Sequence, residues 1–304
     1  MPEEHRPSFA GGVHLLSEVK LQVRPMDILY GIYPNFPMEN LTNSIEYQSW
    51  GGSLSNTFFW LIQFGHKVNV VGTVGNDQVG QALVGSTNPT IYSLSVNPGN
   101  SGKFTYFTDS TTGELLAIFY NYYETIHINK NESIKPDTCL IGGFELQTID
   151  NSETLIYPAN RYIINLGGVR DGEKLTNLIT HLVDKQIVVV GNATEIEKFQ
   201  SCFDKKTIII TTKAAEGAEI KINNDVIAST KPYNDRPIVD VMGAGDAFLA
   251  KFLSDWFKSN FSEDREMLVN ALQNAVNFAT LVSTYPGARP NAIEKPTRNL
   301  QVFT

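Results

Sequence analysis

Short apolar runs recur along the chain, separated by stretches whose apolar groups have helical spacing. TCLIGG (138–143), RYIINL (161–166), QIVVVG (186–191) and KTIIIT (206–211) are continuous and rich in β-branched residues, the pattern of strands buried on both faces. Segments 172–184 and 193–203 between them have the helical period. Upstream, DILYGI (27–32) is predicted as a first buried strand, SLSNTFFWLIQF (53–64) as a helix that stops at Gly65, and VNVVGTVG (68–75) as a second strand. Downstream, EIKIN and VIAST are predicted to form a hairpin. A long helix begins near Ala244, and a last amphipathic helix covers about 264–284. Such alternation predicts a mostly parallel sheet with helices on both faces. Residues 1–24 show no clear period and are expected to be a loose arm or an extra edge strand. No repeat or polar linker divides the chain, so 1–304 reads as one α/β domain with a small β lid.

The lid is expected from about 33–50 and 90–125. IYSLSV, KFTYFTD and ELLAIFYNYY are β-branched and aromatic runs separated by NPGNSG and DSTTG, both hairpin-like breaks. The run is rich in aromatics: Phe104, Tyr106, Phe107, Phe119, Tyr120, Tyr122 and Tyr123. Alternate ones could stack on a base or a sugar face, or they could serve sheet packing and a subunit contact. Uncovered strand edges aggregate, so an aromatic flap with little charge predicts a homodimer through the lid.

Composition narrows the class. Lys and Arg number 24 against 32 Asp and Glu, a formal net charge of −8. That balance argues against a nucleic-acid surface, which needs clustered cations. No apolar run is long enough to span a membrane, and no nucleic-acid or membrane partner is expected. Cys139 and Cys202 lie far apart, with neither disulfide-scaffold nor metal spacing, which favours a reducing, cytoplasmic setting.

Two segments carry candidate chemistry. In DVMGAGDAFLAKFL (240–253), small residues precede a helical run, leaving backbone N–H groups uncovered for an anion. A carboxylate there, Asp246, could take a proton from an attacking hydroxyl; the simpler alternative is a glycine turn with Asp246 as a helix-start residue. In GGSLSN (51–56), Gly51 and Gly52 permit close backbone approach to a ligand. Asn56, which both donates and accepts, suits a polyol. The VGTVGND stretch alone is a tight turn with Asp77 as a cap.

The pairing of GG-x-x-x-N and VGTVGND-x-x-G with DVMGAGDAF resembles the ribokinase-like carbohydrate kinase (PfkB) family over roughly residues 26–290. The resemblance implies a ribokinase-like three-layer α/β/α fold and an ATP- and Mg²⁺-dependent kinase with a sugar or nucleoside acceptor. Asp246 then matches the catalytic base, and Gly243, Ala244 and Gly245 the anion hole. Gly51, Gly52 and Asn56 match the sugar-contacting segment, with Asn35 the nearest polar residue after the first strand. Asn192 and Glu195 match residues near Mg²⁺ and the phosphates, through water; a plain helix N-cap is the alternative. Thr212 and Gly217 match the nucleotide loop, where Ala214 replaces a glycine. Lys213 there is either a phosphate contact or a solvated side chain. The adenine-side Asn aligns on Val276, with Asn277 adjacent.

Val241 stands where the family has Thr, so a monovalent cation near Asp240 would rely on backbone carbonyls. After Gly80 few residues remain for the family's usual helix, and no Lys-Pro-Asn segment of phosphofructokinase-like members is present. The rival readings are a kinase for a vitamin-like hydroxymethyl acceptor and a catalytically weak regulator on the same fold.

Overall fold

The computed structural model describes residues 8–10, 14–21, 47–86, 92–109, 115–121, 136–149, 152–182, 184–233, 236–285 and 287–290. Its strands are β1 (Ser8–Ala10), β2 (His14–Leu21), β3 (Tyr47–Gly51), β4 (Asn69–Gly75), β5 (Tyr92–Asn97), β6 (Lys103–Asp109), β7 (Leu115–Asn121), β8 (Thr138–Gly142), β9 (Arg161–Asn165), β10 (Gln186–Asn192), β11 (Ile208–Thr212), β12 (Ala218–Ile222) and β13 (Asp225–Thr230). The helices are α1 (Ser53–Gln63), α2 (Gln78–Ser86), α3 (Gly143–Thr148), α4 (Gly172–His181), α5 (Ala193–Phe199), α6 (Ala244–Lys258) and α7 (Arg265–Val282). A nine-stranded sheet runs β13-β12-β11-β10-β9-β8-β1-β4-β5, and a four-stranded sheet runs β3-β2-β6-β7. From β11 to β5 the large sheet is parallel, and the predicted hairpin of β12 and β13 adds antiparallel strands at one end.

Strand alternation builds the layers. Leu140, Ile163, Val188 and Val190 face one side, where they pack with Leu54 and Phe58 of α1 and Leu249 and Phe252 of α6. Their neighbours Cys139, Ile141, Tyr162, Ile164, Ile187 and Val189 face the other, against Leu146, Leu175, Leu178 and Phe199 of α3, α4 and α5. A continuous apolar strand is what a sheet covered on both faces requires. Asp77 is the expected cap: its Oδ1 accepts from the Gly80 amide at 2.8 Å and its Oδ2 from the Ser101 amide at 2.9 Å.

Three expectations are corrected. Residues 8–10 are neither arm nor edge: β1 lies inside the large sheet, parallel to both β4 and β8. The predicted strand at 27–32 lies outside the described residues. Residues 92–97 do not belong to the lid, because β5 pairs in parallel with β4 and extends the large sheet. NPGNSG therefore carries the chain between sheets rather than closing a hairpin, while β6 and β7 do pair antiparallel around DSTTG. The second sheet takes its remaining strand from 14–21, within the stretch read as patternless. Finally, a helix does follow the VGTVGND turn, since 78–86 form α2. Those nine residues suffice because β5 follows at the next edge position of the same sheet.

One half-buried imidazole bears on stability. His66, just past α1, places Nε2 2.8 Å from Ser254 Oγ and stands edge-on to Phe257. Burial, with Lys258 close by, lowers its pKa from 6.5 to about 4. The imidazole is neutral in the fold and protonated in the unfolded chain below pH 6.5. Its contribution is therefore complete above pH 6.5 and is lost as pH falls toward 4. His66→Gln is expected to flatten the decline in melting temperature between pH 7 and 4.5. A decline as steep as the wild type's would assign the acid sensitivity elsewhere.

Candidate active site

The C-terminal ends of the parallel strands share one edge of the large sheet, the edge where open α/β sheets hold their ligands. α1 begins there directly after β3, with buried Gly51 and Gly52 ahead of it and the Asn56 amide donating to the Gly52 carbonyl at 2.8 Å. Ser53 and Asn56, three residues apart, share a helix face. That face meets the first turn of α6. Ser53 Oγ donates to Asp246 Oδ1 at 2.5 Å, and Asn56 Nδ2 donates to Asp246 Oδ2 at 2.8 Å. Asn165, the last residue of β9, donates through Nδ2 to Ser53 Oγ at 3.3 Å, its own Oδ1 held by the Gly167 amide at 3.1 Å. Arg289 completes the cluster: Nε donates to Asn56 Oδ1 and Nη2 to Ser55 Oγ, both at 2.7 Å.

Burial raises the Asp246 pKa, while the hydrogen bonds from Ser53 and Asn56 and the charge of Arg289 pull it back. The balance leaves it at about 6, against an ordinary 3.8. Such a carboxylate is ionised at neutral pH and still basic enough to accept a proton.

The glycine turn before α6 is held from below. Asp240 is fully buried; its Oδ1 accepts from the Met242 amide at 2.9 Å and its Oδ2 from the Gly287 amide at 2.7 Å. Both oxygens serve the turn itself, and among the described residues no cluster of three or more His, Cys, Asp or Glu is arranged for a metal ion. Gly243 caps α6 with φ of 75°, and a Cβ built on it would lie 2.3 Å from Ala288 Cβ. The Ala244 amide donates to Val241 O and the Ala247 amide to Gly243 O. Nothing among the described residues accepts from the amides of Gly245 and Asp246. A Cβ on Gly245 would meet open space. Two uncovered amides beside a carboxylate, at a helix N-terminus, are able to hold an anion. Val241 is exposed and supplies no hydroxyl.

Farther along the same edge, Asn192 and Glu195 form a reciprocal capping box. Glu195 Oε2 accepts from the Asn192 amide, and Asn192 Oδ1 accepts from the Glu195 amide. Thr212 ends β11, with Oγ1 3.4 Å from Gly191 O. Ala214 keeps the backbone that a glycine would favour, with φ of 50°. Gly217 is required by packing, since a Cβ there would lie 1.9 Å from Thr230 O. Lys213, partly exposed, pairs with Glu219, which Lys221 also contacts. Val276 is buried in the core, whereas Asn277 is exposed and accepts from the Tyr233 amide at 3.4 Å and from Gln273 Nε2 at 3.0 Å. Asn277 thus secures the segment after β13. Asn35 lies outside the described residues.

Of the residues singled out in the sequence, the fold brings Gly52, Asn56, Gly243 and Asp246 together and sets Asn192, Thr212 and Gly217 farther along the same edge. Ser53, Asn165 and Arg289 were missed. Ser53 lies inside the GGSLSN segment, and Asn165 had a usable signal as a polar residue ending a parallel strand. Arg289 had none, because only tertiary structure returns it to α1.

Residues 179–296 match the model of the "pfkB family carbohydrate kinase". That stretch contains the capping box, the Thr212–Gly217 loop and the glycine turn with Asp246. The C-terminal segment is similar to the PfkB family. No curated protein is matched by sequence. Solved structures match over nearly the whole chain. Adenosine kinase from Sinorhizobium meliloti has a TM-score of 0.70 at 14% identity, over 95% of this chain and 96% of that one. The nucleoside kinase of Burkholderia thailandensis in complex with inosine has 0.68 at 16%, over 93% and 92%. Ribokinase from Cryptococcus neoformans in complex with ADP has 0.67 at 16%, over 94% and 96%. The fold is ribokinase-like. The PfkB match begins after α1, so the GGSLSN segment is tied to it through the contacts of Ser53 and Asn56 with Asp246.

Proposed function

We propose that the chain is an ATP-dependent kinase that transfers the γ-phosphoryl group to a hydroxymethyl group of a sugar or nucleoside. One observation carries this reading: Asp246, a carboxylate with a raised pKa, sits beside the uncovered amides of the α6 N-terminus and bonds to the polar start of α1. Base, anion site and polyol donors thus converge. Asp246 would take the proton of the attacking hydroxyl, whose oxygen attacks phosphorus as the bond to the ADP leaving oxygen breaks. The amides of Gly245 and Asp246 would hold the negative charge of the group in transit. Asn56, Asn165 and Ser53 would orient the acceptor's hydroxyls, and the second sheet would close over it and exclude water.

Asn192 and Glu195 fit Mg²⁺ held through its waters, because the capping box uses one oxygen of each and leaves Glu195 Oε1 for a hydrated cation. Mg²⁺, when bound, offsets charge on the β- and γ-phosphates.

The acceptor class draws support from neighbours described as an adenosine kinase, a nucleoside kinase and a ribokinase. Melting curves with a panel of nucleosides and sugars, with and without a non-hydrolysable ATP analogue, test it. A true acceptor raises the melting temperature by mass action, and the same compound must yield ADP when ATP replaces the analogue. Stabilisation without ADP formation would favour a regulator, and no response to any member would reject the acceptor class.

A further inference from the structure

We propose that Arg289 is a positioning residue for the transfer step: it locks the Asn56 amide toward Asp246, and its charge holds Asp246 ionised as the base. The proposal rests on the kinase reading above. Asn56 has two ends that could exchange by rotation. With Oδ1 accepting from Arg289 Nε at 2.7 Å, Nδ2 is the end that faces Asp246, at 2.8 Å. The flipped amide would set two donors against each other at Arg289 and two acceptors against each other at Asp246. Arg289 therefore selects the orientation. Its second bond, from Nη2 to Ser55 Oγ, fixes the guanidinium across adjacent residues of the first turn of α1, and Phe59 lies 5.3 Å from it one turn on.

The electrostatic part rests on the surroundings of Asp246. Ser53, Asn56 and Thr57 of α1 do not titrate, and α1 carries no charged residue. Asn165 from β9 is neutral. Lys251 and Asp255, farther along α6, are paired with each other at 2.6 Å. Among the described residues, Arg289 is the charge acting on the Asp246 carboxylate, and a guanidinium stays protonated at any working pH.

The segment around Arg289 is anchored for this task. Gly287 is held by Asp240, Ala288 abuts Gly243, and Arg289 reaches α1. One short stretch therefore sets the glycine turn and the base together.

The test compares Arg289→Gln and Arg289→Lys with the wild type in two measurements. The first is direct titration of Asp246 by carboxyl ¹³C NMR on aspartate-labelled protein, with Asp246→Asn to assign the resonance. It needs no activity. The Gln variant is expected to raise the midpoint, by up to roughly one unit because the guanidinium acts across the Asn56 amide, while the Lys variant stays near the wild type. The second is the pH profile of kcat/KM: its acid limb should move up in the Gln variant by the same amount. In the Lys variant the limb should stay, while kcat well above it falls by about tenfold, because a point charge cannot grip both Asn56 and Ser55. An unmoved midpoint in a folded Gln variant overturns the proposal even if the wild type is an active kinase. If the Gln variant does not fold, the Lys variant decides, and wild-type kcat there overturns the proposal. A wild type that shows the Asp246 shift but transfers no phosphoryl group overturns the kinase reading alone.

Discussion

Asp246→Asn is expected to lower kcat by roughly 10²–10⁴-fold, the usual contribution of a positioned base, while leaving the fold and nucleotide binding in place. The substitution keeps the side chain's shape: the new amide oxygen can accept from Asn56 Nδ2 while its nitrogen donates to Ser53 Oγ, so the loss falls on proton transfer. Stability should move the other way. The folded pKa of about 6 lies above the ordinary 3.8, so the fold favours the protonated form, and stability is lost as pH rises from 3.8 through 6. Replacing the carboxylate with a neutral amide removes that cost, and melting at pH 7.5 should be unchanged or higher than in the wild type. Steady-state kinetics with thermal melts of the same preparation check both halves. Wild-type turnover would take Asp246 out of the mechanism, and a large drop in melting temperature would make it a structural residue.

The glycine turn permits a sharper separation of folding from chemistry. Gly243→Ala forces a left-handed backbone onto a residue with a Cβ and drives that Cβ into Ala288. Strain of roughly 1–2 kcal/mol plus the displaced neighbour should cost about 2–4 kcal/mol, with activity lost alongside. Gly245→Ala adds the same methyl group to open space in the first turn of a helix, where alanine is the better residue. Its melting temperature should be equal or higher. Its kcat should nevertheless fall on the order of 10²-fold, because the methyl occupies the approach of the phosphoryl group to an uncovered amide. Chemical denaturation and kcat, measured on both variants, test the pair. Full activity in Gly245→Ala would mean that no anion docks at that amide.

The alternation of strands and helices from 138 to 282 was legible because continuous β-branched runs have one solution in a sheet covered on both faces. Ser8–Ala10 was not legible. Three residues are too short to show a period, and their interior place is dictated by β4 and β8 on either side. Tyr92–Asn97 looked like a lid strand because its composition matches that of β6, yet its register with β4 decides which sheet it joins. At the site, Asp246 and Asn56 stood out because each sits in a local glycine-rich pattern. Asn192 and Glu195 carried a double signal, since the pattern that makes the helix start is also the one proposed to hold hydrated Mg²⁺. Arg289 is the opposite case: its role depends on contacts with residues more than two hundred positions away, and nothing adjacent to it in the chain marks them.

The grip of Gly287, Ala288 and Arg289 on the glycine turn also has a consequence for the order of events during synthesis. Ser53, Asn56 and Asp246 leave the ribosome before the segment that orients them. Until that segment emerges, Asn56 lacks its Arg289 contact and the glycine turn lacks the Gly287 anchor below it. On the proposed kinase reading, the site is complete only once residues 287–289 have emerged, not when Asp246 itself has.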